Sequence, residues 1–222
     1  MALTKVTSGT ITDGTIVSGD FNASVGFGFA SVQTFTSSGT WTRPSGITKV
    51  IVEVQGAGGS GSGSPNTEDV QGGSGGGYAK KILDVSSISS ATITVGTGGT
   101  GVSASGVNAG NDGGSSSWAD GTNTITGTGG AGGVLTHDAP TEGSTATGGD
   151  INIQGGDGLS RYLGTQIAGG SSMLGFGGMG KANTRTTVAR APRGYGAGSG
   201  GAGATGSSEA GGNGIVIVWE YK

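Results

Sequence analysis

The sequence has no cysteine, one histidine, four prolines and few charges: Asp, Glu, Lys and Arg together make up 11% of 222 residues. Each shortage closes off a class of chemistry. Without cysteine there is neither a disulfide framework nor a thiolate metal site. A lone histidine cannot build a typical histidine-rich zinc site. It also leaves any hydrolytic triad dependent on His137, which stands beside Asp138 in a polar stretch that reads as a surface loop. With so little proline, and glycine not at every third position, a collagen triple helix is excluded. A formal net charge of −3 and a pI near 5.0 argue against a basic face for nucleic acid. No apolar run approaches the roughly 20 residues of a membrane span, so no membrane insertion is expected. The opening MALTKVTSGT has neither the apolar stretch nor the cleavage pattern of a secretory signal. Such a protein, if it acts outside cells, is expected to be released by lysis.

What is present is glycine. There are 54, against a usual share of about 7%. Ordering each one costs roughly 0.5–1 kcal/mol more than ordering alanine. Dense, cooperative backbone hydrogen bonding is the natural offset. The glycines cluster in tracts: GGSGGG (72–77), GGTG (98–101), GGAGG (129–133), GFGGMG (175–180), GSGGAG (198–203) and GGNG (211–214). These share a GGx or xGG triplet. A polyproline-II-type helix has three residues per turn, so two glycines per triplet leave two faces bare. Bare faces let neighbouring helices exchange N–H···O=C bonds, and a bundle of them satisfies its backbone without a side-chain core. On this reading Ser74, Thr100, Ala131 and Met179 are outward or inter-layer residues.

Between the tracts lie β-branched, alternating segments at 32–36, 39–43 and 48–55, separated by SSG and RPSG turns. More follow at 76–85, 91–95, 115–119, 123–127, 150–154 and 214–221. These read as strands, and no window has helical periodicity. Segments 48–55 and 214–221 are expected to pair and hold the ends of the domain together. Trp41 and Trp219 are expected to fill a small core, with Trp118 capping it. The fold class is therefore all-β: a small β-sandwich-like framework with packed polyglycine-II helices, long surface loops and a short N-terminal stem. In residues 1–31, Gly9, Gly14 and Gly19 each precede an apolar residue by two places (Ile11, Ile16, Phe21). So thin a segment cannot bury these alone, which makes 1–31 an attachment stem and 32–222 the glycine-rich domain.

Two apparent motifs fail on inspection. Gly56, Gly58 and Gly61 match a dinucleotide-binding fingerprint directly after a strand, but the fingerprint needs a following helix. SGSPNTED follows instead. Glu68 and Asp69 are adjacent carboxylates, but glycan cleavage with retention needs two groups roughly 5 Å apart across a sugar. Asp112, Asp120, Asp138, Asp150 and Asp157 are scattered and follow no calcium-binding repeat. No cofactor, no metal and no enzymatic activity are expected.

Four segments of different composition interrupt the glycine tracts: 64–69, 134–147, 158–167 and 181–193. Loops on a rigid scaffold are the usual seat of recognition. Candidate contact residues are Asn66, Glu68 and Asp69; His137 and Asp138; Arg161 and Tyr162; and Arg185, Arg190, Arg193 and Tyr195. Guanidinium groups pair with carboxylate and phosphate, and tyrosine offers a flat apolar face with a hydroxyl. The alternative role for the arginines is capping glycine-helix carbonyls within the molecule.

The stretch FTSSGTWTRPSGITKVIVEVQGAGG, then GGSGGGYAKKILDV, ATITVGTGG and GGNGIVIVWEY, resembles the glycine-rich domain of bacteriophage tail-fibre and tail-tip proteins. More loosely, the chain is similar to the long-tail-fibre tip adhesins of T-even phages, which stack polyglycine-II helices and bind the host surface through loops. The resemblance implies a virion tail-fibre tip protein, extracellular after host lysis. It would bind a bacterial cell-surface receptor (glycan, lipopolysaccharide or outer-membrane protein) and join other tail or fibre proteins through residues 1–31, with a homotrimer among the implied assemblies. The alternatives are a purely structural fibre or decoration protein, an ice-binding protein and a silk-like material. Ice binding needs a flat, regular Thr/Ala-rich face, which the charged loops oppose.

Overall fold

The computed structural model describes residues 28–65, 70–135, 139–160, 167–180, 190–203 and 206–222. Among these there is no α-helix. All nine expected segments form strands. They are β1 (Phe29–Phe35), β2 (Gly39–Thr42), β3 (Lys49–Gln55), β5 (Tyr78–Asp84), β6 (Ser90–Thr94), β7 (Ser116–Ala119), β8 (Thr124–Gly127), β10 (Ile151–Ile153) and β14 (Ile215–Tyr221). Five two-residue strands were not expected: β4 (Gly63–Ser64), β9 (Ala146–Thr147), β11 (Gly175–Phe176), β12 (Arg193–Gly194) and β13 (Ala202–Gly203). Most are short ladders where extended glycine segments come into register. Phe29, Ala30 and Ser31, counted with the stem above, are the first residues of β1.

The longer strands build two five-stranded sheets, β1-β14-β3-β5-β10 and β2-β6-β7-β8-β9. β3 and β14 pair antiparallel from Gln55↔Ile215 to Lys49↔Tyr221, so the first and last strong strands lie side by side at the centre of the first sheet. Val50, Val52 and Val54 alternate inward with Val216 and Val218. Opposite them the second sheet supplies Trp41, Ala91, Ile93, Trp118 and Ile125. Trp41 and Trp118 meet with ring centroids 5.0 Å apart and planes tilted by 48°. Trp118 is therefore in the centre of the core rather than a cap on it.

Trp219 is not in the core. Side chains alternate across a strand, and Val218 and Glu220 point inward, which sends Trp219 to the outer face. There it packs on Phe29 at 6.1 Å and donates its Nε1–H to Glu53 at 3.2 Å. The inward Glu220 carboxylate accepts from Gln33 Nε2 and Trp41 Nε1, each at 2.7 Å, and from the Ser31 hydroxyl. A buried charge needs such partners to be tolerated. The RPSG turn forms as expected: Ile47 N–H donates to Pro44 O, with Gly46 at φ 79°, the glycine position of a type II turn. The outer face of the first sheet exposes Phe29, Val32, Ile82, Ile151 and Ile153.

Beyond the sandwich the chain passes directly from β3 into the glycine bundle. Successive N–H groups there point to three different neighbours, with a period of three residues. Gly56, Gly59 and Ser62 donate to Gly77, Ser74 and Gln71; Ala57, Ser60 and Gly63 donate to Gly114, Asn111 and Asn108; Gly58 donates to Gly212. The carbonyls of the same segment accept from three further neighbours: Ala57 from Gly130, Gly58 from Gly99, and Gly59 from Ser199. This is the hydrogen bonding of a polyglycine-II lattice, with one helix surrounded by six. Residues 71–77 form a second interior helix. Its N–H groups go to 156–159, 196–199 and 128–131 with the same period. The expected helices are therefore present, and the glycine requirement is steric. A Cβ on Gly113 would stand 2.6 Å from the carbonyl oxygen of Gly58, well inside contact distance.

Where the interior carries a polar side chain it is usually serine. Ser60, Ser62, Ser74 and Ser199 are fully buried. Their hydroxyls accept the N–H groups of Asn111, Gln71, Ala131 and Gly61 respectively, at 2.8–2.9 Å. Each Oγ stands in for a lattice carbonyl. Of the triplet side chains singled out above, Thr100 and Met179 are exposed, Ala131 is half-buried and Ser74 is inside.

Candidate functional site

Strand direction gives the molecule two distinct ends. β3 runs toward the bundle, and its first residue pairs with Tyr221, which also faces Phe29 across β1. The described chain thus starts and ends at the end of the sandwich away from the bundle. The chain enters the bundle from β3, β6, β8 and β10 and rejoins the sandwich at β5, β7, β9 and β14, the last of these excursions passing outward and back three times. Gly56–Gly77, Thr97–Gly114 and Gly113–Gly130 are hydrogen-bonded near the sandwich end, reading from the strand junctions outward. At the far end the bonds are Ser62–Gln71, Gly63–Asn108 and Gly110–Gly133. Bridges Gln71↔Ser160, Thr141↔Gly158, Ala168↔Met179 and Ser103↔Ser207 lie at or toward that same end. Seven residues of such a helix, at about 3.1 Å each, place it roughly 20 Å from the sheets.

Most of the sequence-predicted contact residues fall outside the described residues: Asn66, Glu68, Asp69, His137, Asp138, Arg161, Tyr162 and Arg185. The described residues that flank them are nonetheless informative. Pro65 and Val70, Leu135 and Ala139, Ser160 and Ile167, and Gly180 and Arg190 all belong to helices at or near their far-end turns. The topology thus gathers the approaches to all four interrupting segments at one end.

Arg190, Arg193 and Tyr195 are described, and the structure brings the two arginines together. Residues 175–180 form an outer helix whose three-residue period sorts the side chains. Gly175 and Gly178 face the returning segment 190–195, Gly177 and Gly180 face 167–169, and Phe176 and Met179 face outward. Phe176 lies opposite Arg193, and Arg190 N–H donates to Met179 O at 2.9 Å. The result is a groove of about 270 Å³ lined by Phe176, Gly177, Gly178, Met179, Arg190, Ala191 and Arg193. Phe176 is 75% exposed. Among the described residues neither guanidinium makes a hydrogen bond or ion pair, so neither arginine caps a described carbonyl. Tyr195 sits at the sandwich end of this segment. Its N–H donates to Leu174 O, and its carbonyl accepts the Ser172 hydroxyl. Phe176 and Met179, which line this groove, are not among the sequence-predicted candidates, although the triplet rule places both outside once GFGGMG is read as a helix.

Other residues weighed for chemistry serve the scaffold. Gly56 and Gly58 spend their N–H groups on Gly77 and Gly212, and Gly61 spends its own on Ser199 Oγ, so these amides are committed inside the lattice. Asp112 and Asp157 each accept a glycine N–H, from Gly132 at 2.7 Å and Gly143 at 2.8 Å. Asp150 accepts from Ile82 N–H at 3.0 Å and pairs with Lys81 at 3.6 Å. Partial burial pushes the Asp120 carboxyl up. The backbone N–H groups of Asn123 and Thr122, with the Asn123 and Trp118 side chains, outweigh this and hold it below the ordinary carboxylate range.

No curated protein matches the chain. The family model of a glycine-rich domain matches residues 31–221, which is nearly all of the sandwich and bundle described above. The chain therefore belongs to the glycine-rich domain family.

Proposed function

We propose that this protein is the receptor-binding tip of a bacteriophage tail fibre, without enzymatic activity. In this reading it attaches to its fibre through residues 1–31 and binds the bacterial surface through the far end of the bundle. One observation carries the proposal: the approaches to all four glycine-poor segments lie at the end opposite Phe29 and Lys222. A molecule that only extends or decorates a fibre has no need to bring the approaches to all its glycine-poor segments to one pole. A rigid, hydrogen-bonded scaffold under variable loops is the usual arrangement for recognition. The exposed apolar face of the first sheet adjoins the point where residues 1–27 enter, which suits attachment to another fibre component there. Weak individual contacts would suffice, because several tips per virion raise avidity by about 10²–10⁴-fold.

The test is binding of labelled full-length protein to a panel of bacterial strains, beside a variant whose residues 181–189 are replaced by a Gly/Ser linker. Strain-selective binding that falls in the variant supports the proposal. A lack of binding across a panel containing the host refutes it and favours a structural fibre part.

A further inference from the structure

We propose that the groove between residues 176–179 and 190–193 binds an anionic saccharide, its ring resting on Phe176 and its carboxylate or phosphate held by Arg190 and Arg193. The proposal rests on the receptor-binding reading, whose ligand chemistry it names.

Three features of the groove point to this chemistry. First, the two guanidinium groups have no partner among the described residues in a chain with a net charge of −3. Unpaired arginines beside an apolar ring suit an acidic group, because the guanidinium fork matches carboxylate and phosphate geometry. Second, Phe176 and Met179 stand outward beside a floor of Gly177 and Gly178 that carries no side chains. A bare floor with an exposed ring beside it accepts the flat apolar side of a sugar. The volume, about 270 Å³, is near the lower limit of about 300 Å³ for small-molecule pockets, which suits one ring and its charged substituent. Third, the floor has no free strand edge. Gly177 N–H goes to Ser171 Oγ and Gly178 N–H to Gly198 O, while Gly178 O accepts from Gly169 and Met179 O from Arg190. An acidic peptide would dock most readily by adding a strand to an open edge, which these committed groups do not provide. The two arginines lie three residues apart on extended backbone, about 9 Å at polyproline-II rise. Arginine side chains are long enough for two at this spacing to converge on one acidic group between them.

The experiment is a titration of isotope-labelled full-length protein followed by amide NMR. The probes are tetragalacturonate, a phosphorylated glucosamine disaccharide, neutral maltotetraose and a tetraglutamate peptide. The expected result is that at least one anionic saccharide moves the amide signals of Phe176, Gly177, Gly178 and Arg193, while maltotetraose does not. Whichever anionic probe binds more tightly distinguishes a uronate source from a lipid-linked phosphate source. The double substitution Arg190→Gln, Arg193→Gln should weaken binding by about tenfold or more, as expected for losing charge-assisted contacts. Phe176→Ser should weaken it several-fold, with unchanged melting temperature in both variants. Equal binding of maltotetraose, tighter binding of the peptide, shifts centred elsewhere or no shifts at all would overturn the proposal. Strain-selective cell binding that persists in the arginine variant, with no saccharide shifts, would remove this groove and leave the receptor-binding reading standing.

Discussion

Serine in the lattice interior shows how a single residue is fixed by hydrogen-bond accounting. Ser74 is fully buried because its Oγ accepts the Ala131 N–H at 2.8 Å. Ser74→Ala should lower stability by about 1–3 kcal/mol, the penalty for a buried unsatisfied donor, as read by chemical denaturation. The exposed Ser87→Ala, at a hydroxyl that makes no hydrogen bond among the described residues, should change it by less than about 0.5 kcal/mol. Glycine positions are equally strict for a different reason, the closeness of the neighbouring carbonyls. The triplet pattern revealed that glycine was needed. It did not reveal that Ser74 lies inside while Thr100 and Met179 lie outside, because that depends on where each helix sits in the bundle.

At the scale of elements, the β7–β8 hairpin is closed by Asp120, which accepts from Thr122 N–H at 2.9 Å and Asn123 N–H at 2.6 Å. Trp118 Nε1–H reaches the same carboxylate at 3.2 Å, linking the turn to the core. Because its folded-state pKa is depressed, this contribution is fully present above the ordinary value of 3.8. It is lost as pH falls through the lowered value. Asp120→Ala should therefore destabilise the protein by about 1–2 kcal/mol near neutral pH. The difference from wild type should persist down to about pH 4 and close only in stronger acid, as followed by melting temperature against pH. The strands themselves were legible from alternation and β-branching. The two-residue strands were not, since β11 and β13 have no strand composition and pair only because the lattice aligns them.

For the whole molecule, the decisive property is polarity. A bulky folded domain fused after Lys222 should leave cell binding intact. The same domain inserted at Gly106, in the far-end turn between Ser103 and Asn108, should abolish binding while both fusions keep the far-ultraviolet spectrum of the parent. Equal binding by both fusions would contradict recognition at the bundle end. The sequence showed that non-glycine segments interrupt the tracts but not that their approaches converge. That convergence comes from an even alternation of outward and returning helices, which turn back at the sandwich end through its strands or, between β10 and β14, through the turn at Ser172–Gly175 and the passage at Tyr195–Gly196.

The sequence by itself determined the local structure. Period-two alternation specified nine strands, and period-three glycine specified polyglycine helices, because each pattern is a statement about which faces of one segment are bare. Only the tertiary structure decided that Trp219 faces out while Glu220 is buried. Strand register assigns sides to all residues at once, and the Ser31, Gln33 and Trp41 donors that make Glu220 tolerable come from distant positions. Likewise, Arg190 and Arg193 were visible as charges. Their pairing with Phe176 and Met179 across one groove required two helices to be placed side by side.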